Sequence, residues 1–205
     1  MPLRRLVLAS ASIARLRVLR NAGFEPDVVV SGVREDDIDL TSPGQAVEAL
    51  AIRKATAVAT RIADDTRQPP GLVVACDSML DVDGVAYGKP TSKIEAVERW
   101  QALRGQDGVL RTGHCVVDLA PTAAPDRRPH LSAVASTVVH FGHPTDDEIA
   151  CYVGTGEPLG VAGAFTLDGR SGPFVDGIDG DPSNVIGISL PLLRDIVGQL
   201  GLSIT

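Results

Sequence analysis

The stretch LVLASASIARLRVLRNAG, residues 6–23, sets two hydroxyls, Ser10 and Ser12, and three arginines, Arg15, Arg17 and Arg20, directly behind an apolar run. A strand that breaks into Ser-x-Ser and then a helix presents hydroxyls and unpaired N–H groups at a helix N-terminus, where the macrodipole favours an anion. Arg15 adds a charged fork there. A plainer reading also fits: Ser12 as N-cap, Ser10 as a loop residue and the arginines as a solvated helix face. A second signal comes from AIRKATAVA, residues 51–59. At about 100° per residue, Lys54 falls about 20° from Val47 and about 40° from Val58, near the middle of an apolar stripe, whereas Arg53 points elsewhere. An ammonium placed there must snorkel to water or meet an anion in a cleft.

The third signal is GLVVACDSML, residues 71–80, whose apolar run ends abruptly at Asp77. In open α/β sheets ligands bind beyond the carboxyl ends of strands, so an Asp there suits a base or a metal ligand; an Asx-turn or cap is the structural alternative. GKP follows one short excursion later, with Lys89 between a flexible Gly88 and a rigid Pro90. Glu35, in VREDD, stands just beyond the second apolar run and is a further acidic candidate.

The elements that must carry these residues follow from periodicity. LVLA (6–9) and DVVVSG (27–32) read as strands, and IARLRVLRNAG as a helix with Ile13, Leu16 and Leu19 on one face and Gly23 as its stop. Residues 43–63 read as a helix ended by the break at RQPPG. GLVVACD reads as a buried strand, and Asp83-Gly84 as the turn of a following hairpin. A helix follows over 92–103. VLRTGHCVVDLA and HLSAVASTVVHF read as paired strands joined by an exposed PTAAPDRRP connection. PTDDEIACYVGTG opens a helix, AGAFTLDG reads as a strand and SLPLLRDIVGQLG as a closing helix. Nine glycines between 154 and 187 imply close backbone approach or repeated turning. Strands alternating with helices give an α/β fold.

Bulk properties narrow the function. A net charge of -7 with a pI near 5.0 excludes a broad nucleic-acid or anionic-membrane surface, so any bound phosphate must be gripped by a local basic pocket. The 205 residues make one domain, 1–205, with room for a sizeable core. With aromatics at 3%, that core is expected to be built from Val, Leu, Ile and Ala. No apolar run approaches the roughly 18 residues of a membrane span, and MPLRRLVLAS is too short for a signal peptide, so the expected location is cytoplasmic. Cys76, Cys115 and Cys151 have no C-x-x-C spacing and read as reduced core thiols.

Taken in order, LASASIAR, VRED, RKA, ACDSML, YGKP, TGHCVV and GEPLGVAGAFTLDGRSGPFVDGIDGDPSNVIGISLPLL resemble the motifs of the Maf family of nucleoside triphosphate pyrophosphatases, across nearly the whole chain. The resemblance implies a mixed, twisted sheet with flanking helices, its two lobes set around a central cleft. It also implies hydrolysis of a nucleoside triphosphate to a monophosphate and pyrophosphate. Ser10, Ser12 and Arg15 would cradle phosphate oxygens, Lys54 and Lys89 would neutralise developing charge, and Asp77 would orient and deprotonate water. Divalent metal, Mg²⁺ or Mn²⁺, would be held by Asp77 and Glu35. A homodimer stays open, as does a nucleotide-binding regulatory role in cell division with incidental turnover. The chain departs from the family's pattern in two places. Ile13-Ala14-Arg15 replaces Pro-Arg-Arg, and Val161 stands where the tail often has Lys. In the subgroup preferring thymidine and uridine triphosphates, Arg, Thr and Gln occupy the positions of Ala14, Ser78 and Asp168. All three differ here, which implies an enzyme that is not a strict thymidine or uridine triphosphatase but accepts purine, modified or cytosine-bearing triphosphates.

Overall fold

Helical and alternating segments of the sequence become a sheet flanked on both faces. The computed structural model describes residues 5–34, 42–63, 71–120 and 130–202. Glu35, the 121–129 connection and most of the RQPPG break therefore lie outside the described residues. In chain order the elements are β1 (Arg5–Leu8), α1 (Ile13–Asn21), β2 (Asp27–Val28), α2 (Pro43–Ala63), β3 (Gly71–Val82), β4 (Val85–Tyr87), α3 (Lys93–Leu103), β5 (Asp107–Asp118), β6 (His130–Phe141), α4 (Asp146–Gly154), β7 (Val175–Asp179), α5 (Pro182–Ile186) and α6 (Leu190–Gln199).

The seven strands form one mixed sheet in the order β2-β1-β3-β5-β6-β7, with β4 also on β3. β1 runs parallel to β2 and β3, and the remaining pairs are antiparallel. One edge of β3 is covered by β5 along nearly its whole length. The other edge is shared: β1 pairs with Gly71–Val74 and β4 with Leu80–Val82. Between them, residues 75–79 have no strand partner on that edge among the described residues. The sheet is split there, and the chain leaving β1 bends away after the Ala9 N–H bonds the Val74 carbonyl at 2.8 Å.

Successive side chains of β3 face opposite sides of the sheet. Val73 and Ala75 pack under Ala51, Ala55 and Val58 of α2, and Met79 under Val47 and Leu50. Leu72, Val74 and Cys76 face α1 and α6. On β5, Gly113 permits the approach of α2: a Cβ there would lie 2.2 Å from the Val47 carbonyl oxygen. Because Gly113 is paired with Asp77, this contact sets the helix directly over that carboxylate.

At the far end of β3 a separate core forms around Trp100, whose ring meets Phe141, Tyr152 and Phe174 edge-on. Six of the seven aromatic side chains gather in this one cluster, so a low aromatic content does not make the core uniformly aliphatic. The Trp100 indole N–H also donates to the Ala164 carbonyl at 2.8 Å, tying the glycine-rich tail to α3.

Several expected elements change. DVVVSG yields only the two-residue β2. AGAFTLDG is not a strand: Gly163 and Ala164 both adopt positive φ, 70° and 62°, which breaks a pleat and forms a 3-10 turn. The tail strand is instead β7. β3 does not end at Asp77 but continues to Val82; what ends near Asp77 is its parallel partner β1. Ile13, on the same helix face as Leu16 and Leu19, is 79% exposed, and Cys151 is exposed on α4 rather than in the core. Among the described residues no helix is long and apolar enough to cross a membrane.

Candidate active site

The split in the sheet opens into a cleft of about 780 Å³. Its lining comes from the β1–α1 turn, the middle of β3, the Gly88-Lys89 loop, the tail turns over 160–168 and the end of α5.

At the β1–α1 turn, Ser12 caps the helix by accepting the Arg15 backbone N–H at 3.3 Å, as the plainer sequence reading had it. Arg15, however, is not a solvated side chain. Its Nη1 donates to Ser10 Oγ at 3.2 Å, its Nη2 to Ser78 Oγ at 3.0 Å and its Nε to the Gly187 carbonyl at 2.8 Å. Three of the five N–H groups of a guanidinium are thereby fixed, which sets its plane. Gly187 has φ 115°, and a Cβ there would stand 3.1 Å from Arg15 Nε, so a side chain at 187 would displace the fork.

Behind Arg15 the hydrogen bonds run in one direction. Thr112 Oγ1 donates to the Asn184 carbonyl at 3.2 Å, so Ser78, 2.9 Å from Thr112 Oγ1, is the donor in that pair and accepts from Arg15. His114 braces the same strand. Its Nε2 accepts the Ser189 N–H at 2.8 Å, which leaves Nδ1–H to donate to the Thr112 carbonyl at 3.0 Å. Burial pushes this imidazole down to about 4 against the raising effect of the Thr112 carbonyl, so it is neutral with a fixed tautomer.

On the opposite face Lys54 meets its anion. Nζ lies 2.5 Å from Asp77 Oδ1, with the side chains only 10% and 11% exposed. Both residues line the cleft. Cys76, the neighbour of Asp77 on β3, points to the opposite face into the core, and burial pushes its thiol up to about 12, which removes it as a nucleophile at neutral pH.

Across the cleft, Lys89 is exposed and among the described residues has no hydrogen-bond or ion-pair partner. Ala14 and Asp168 also line the cleft, and Asp168 pairs with Arg17 of α1. The structure therefore gathers Ser10, Ser12, Ala14, Arg15, Lys54, Asp77, Ser78, Lys89 and Asp168 around one cavity; Glu35 lies outside the described residues. Sequence reasoning missed Thr112, Asn184 and the Arg17 partnership. Thr112 stands in the TGHCVV stretch, but nothing local marks its hydroxyl as the support for Ser78.

Among the described residues no group of three or more His, Cys, Asp or Glu side chains could hold a metal ion by itself. The described carboxylates lining the cleft are Asp77 and Asp168. So few carboxylates in a cleft that also holds Arg15 and the α1 N-terminus would suit an ion held largely by substrate oxygens and water, as Mg²⁺ commonly is.

A family model described as Maf-like protein matches residues 5–200. The chain is 57% identical over 204 residues to a nucleoside triphosphate pyrophosphatase of Streptomyces coelicolor, covering 100% of this chain and 94% of that protein. It is 54% identical over 203 residues to one of Salinispora tropica, covering 98% and 86%. It is 46% identical over 207 residues to one of Mycobacterium ulcerans, covering 98% and 94%.

Proposed function

Because this chain belongs to the Maf-like protein family, we infer that it hydrolyses the α–β anhydride of a nucleoside triphosphate, consuming one water and releasing a nucleoside monophosphate and pyrophosphate. The observation that carries this assignment to particular residues is the buried Lys54–Asp77 pair, set at the split in the sheet opposite the Ser10–Arg15 anion site.

The α1 N-terminus, Ser10 and Arg15 bind phosphate oxygens, with Arg15 pre-set by its protein acceptors so that little reorganisation accompanies binding. Asp77 orients the attacking water and takes its proton. Lys54 holds that carboxylate in place and, with Lys89 from the other wall, offsets negative charge that builds on the phosphates during displacement. A divalent cation, Mg²⁺ or Mn²⁺, held by Asp77 and by Glu35 together with phosphate oxygens, would supply further charge neutralisation. Ala14, Ser78 and Asp168 line the same cleft and are assigned to the base. An ionised Asp168 only accepts hydrogen bonds, which suits a guanine edge or an exocyclic amine better than uracil. The small Ala14 leaves room for a larger ring.

Turnover of a panel of nucleoside triphosphates with Mg²⁺ or Mn²⁺, resolving pyrophosphate from orthophosphate, tests this reading. Pyrophosphate and monophosphate in equal amounts are expected; orthophosphate as the primary product would overturn it. A clear preference for dTTP and UTP over all other bases would sink the base assignment alone.

A further inference from the structure

Lys89 poses a positioning problem. Its side chain is long, exposed and rich in rotamers, and ordering such a chain on a phosphate is entropically unfavourable unless its backbone is already fixed. We propose that Arg99 and Glu95 of α3 are positioning residues that clamp the Lys89 loop from both sides and so set where the Lys89 ammonium reaches in the cleft.

The clamp is built from one ion pair a single helical turn apart. Arg99, although only 8% exposed, donates from Nη1 to the Gly88 carbonyl at 2.5 Å, and its guanidinium lies over the Tyr87 ring at 5.0 Å from the centroid. Its Nη2 donates to Glu95 Oε1 at 2.7 Å. The other carboxylate oxygen, Oε2, accepts both the Thr91 N–H at 2.7 Å and the Thr91 hydroxyl at 2.6 Å. Gly88 and Thr91 bracket Lys89-Pro90, so the loop is anchored on both sides of the lysine to the same two side chains. The Gly163 N–H also donates to the Gly88 carbonyl at 3.1 Å, which joins the tail wall of the cleft to this point.

Stability alone does not account for the arrangement. An ion pair whose carboxylate is partly exposed contributes little to stability, and the buried Arg99 Nε has no hydrogen-bond partner among the described residues. What a guanidinium offers here, and an apolar side chain does not, is a planar fork joining a carbonyl to a carboxylate while stacking on an aromatic ring.

The inference rests on the role given to Lys89 above, and a double-mutant cycle separates the two. Lys89→Ala, Glu95→Ala and Arg99→Met are measured singly, and the latter two also in the Lys89→Ala background. Each clamp variant should lower kcat by about tenfold in the otherwise native enzyme and by less than about twofold once Lys89 is gone. Equal losses in both backgrounds would show that the pair acts only through general stability and would overturn the clamp. An unchanged kcat for Lys89→Ala would overturn both the lysine's role and the clamp acting through it. If Arg99→Met does not fold, Glu95→Ala carries the cycle, because the Glu95 side chain is 37% exposed and its loss opens no buried cavity.

Discussion

At the end of the sheet where β1 joins β3, the buried core is made of Leu, Val, Ala, Ile and Cys, and at the opposite end it is centred on Trp100 and the rings around it, with Leu, Ile, Val and Ala between them. Small and β-branched side chains at the aliphatic end, with Gly113 beside them, let a helix backbone rest on the sheet and carry Lys54 down onto Asp77. The aromatic end fills volume instead. Its contacts to the facing wall go to backbone: Trp100 to the Ala164 carbonyl and Arg99 to the Gly88 carbonyl. One end thus pairs charged side chains with one another, whereas the other holds segments of chain that form the facing wall. Mutations at the two ends are accordingly expected to separate turnover from wall placement.

The largest expected effect is on the aromatic side. Trp100→Ala removes the hub of the ring cluster and should destabilise the fold by about 3–5 kcal/mol, read as a loss of Tm and of urea midpoint. A loss under about 1 kcal/mol would mean the two ends are not built differently. Asp77→Asn should act chiefly on turnover, lowering kcat about 100-fold or more, since the amide oxygen still accepts from Lys54 but no longer takes a proton; losing the counter-charge of the buried ammonium should also lower Tm, by less than Trp100→Ala does. Near-native turnover would reduce Asp77 to a structural residue.

Lys54→Met sharpens the point about pairing. It leaves the Asp77 carboxylate buried without its ammonium, so it should cost about 3 kcal/mol of stability as well as activity, and adding Asp77→Asn should restore much of the Tm while activity stays lost. An additive double variant would show that the two side chains are not coupled.

Two histidines give opposite pH responses. His114, held neutral by burial with a value of about 4, is protonated more readily in the unfolded chain, whose ordinary value is 6.5. Stability should therefore fall as pH drops from 6.5 towards 4, by an amount on the order of 3 kcal/mol, and be retained above that window. His140, at the aromatic end, is bonded by Asp107 at 2.7 Å and Asp179 at 3.2 Å, and these carboxylates hold its value above 6.5. Its contribution is present below pH 6.5 and lost as pH rises through the raised value. Urea denaturation across pH should show the alkaline loss disappear in His140→Asn while the acid loss remains. The smallest effect is expected at the base: Asp168→Gln should shift the ratio of kcat/KM for dTTP over dGTP upward by about 3- to 10-fold, and no shift would leave Asp168 as the partner of Arg17 only.

Much of this was legible from local pattern. The span of α2, the place of Lys54 within its apolar stripe, the Asp83-Gly84 turn, the Ser12 and Ser92 helix starts and the paired strands β5 and β6 all follow from periodicity and capping between near neighbours. The tail was misread because its alternating apolar residues imitate a strand, while the positive φ of Ala164 depends on the approach of Gly163 to Leu80 and on the bond from Trp100.

The α/β class, and the hydroxyls, ammonium groups and carboxylate that line the cleft, are written locally, because each is fixed by residue type and by spacing within one element. Tertiary structure alone decided how they meet. The anion for Lys54 lies 23 residues away and the carbonyl that fixes Arg15 lies 172 residues away. Whether β3 is covered or open at Asp77 depends on where β1 stops and β4 begins on a shared edge. Pairing across such separations is set by packing of the whole sheet, and no local periodicity encodes it.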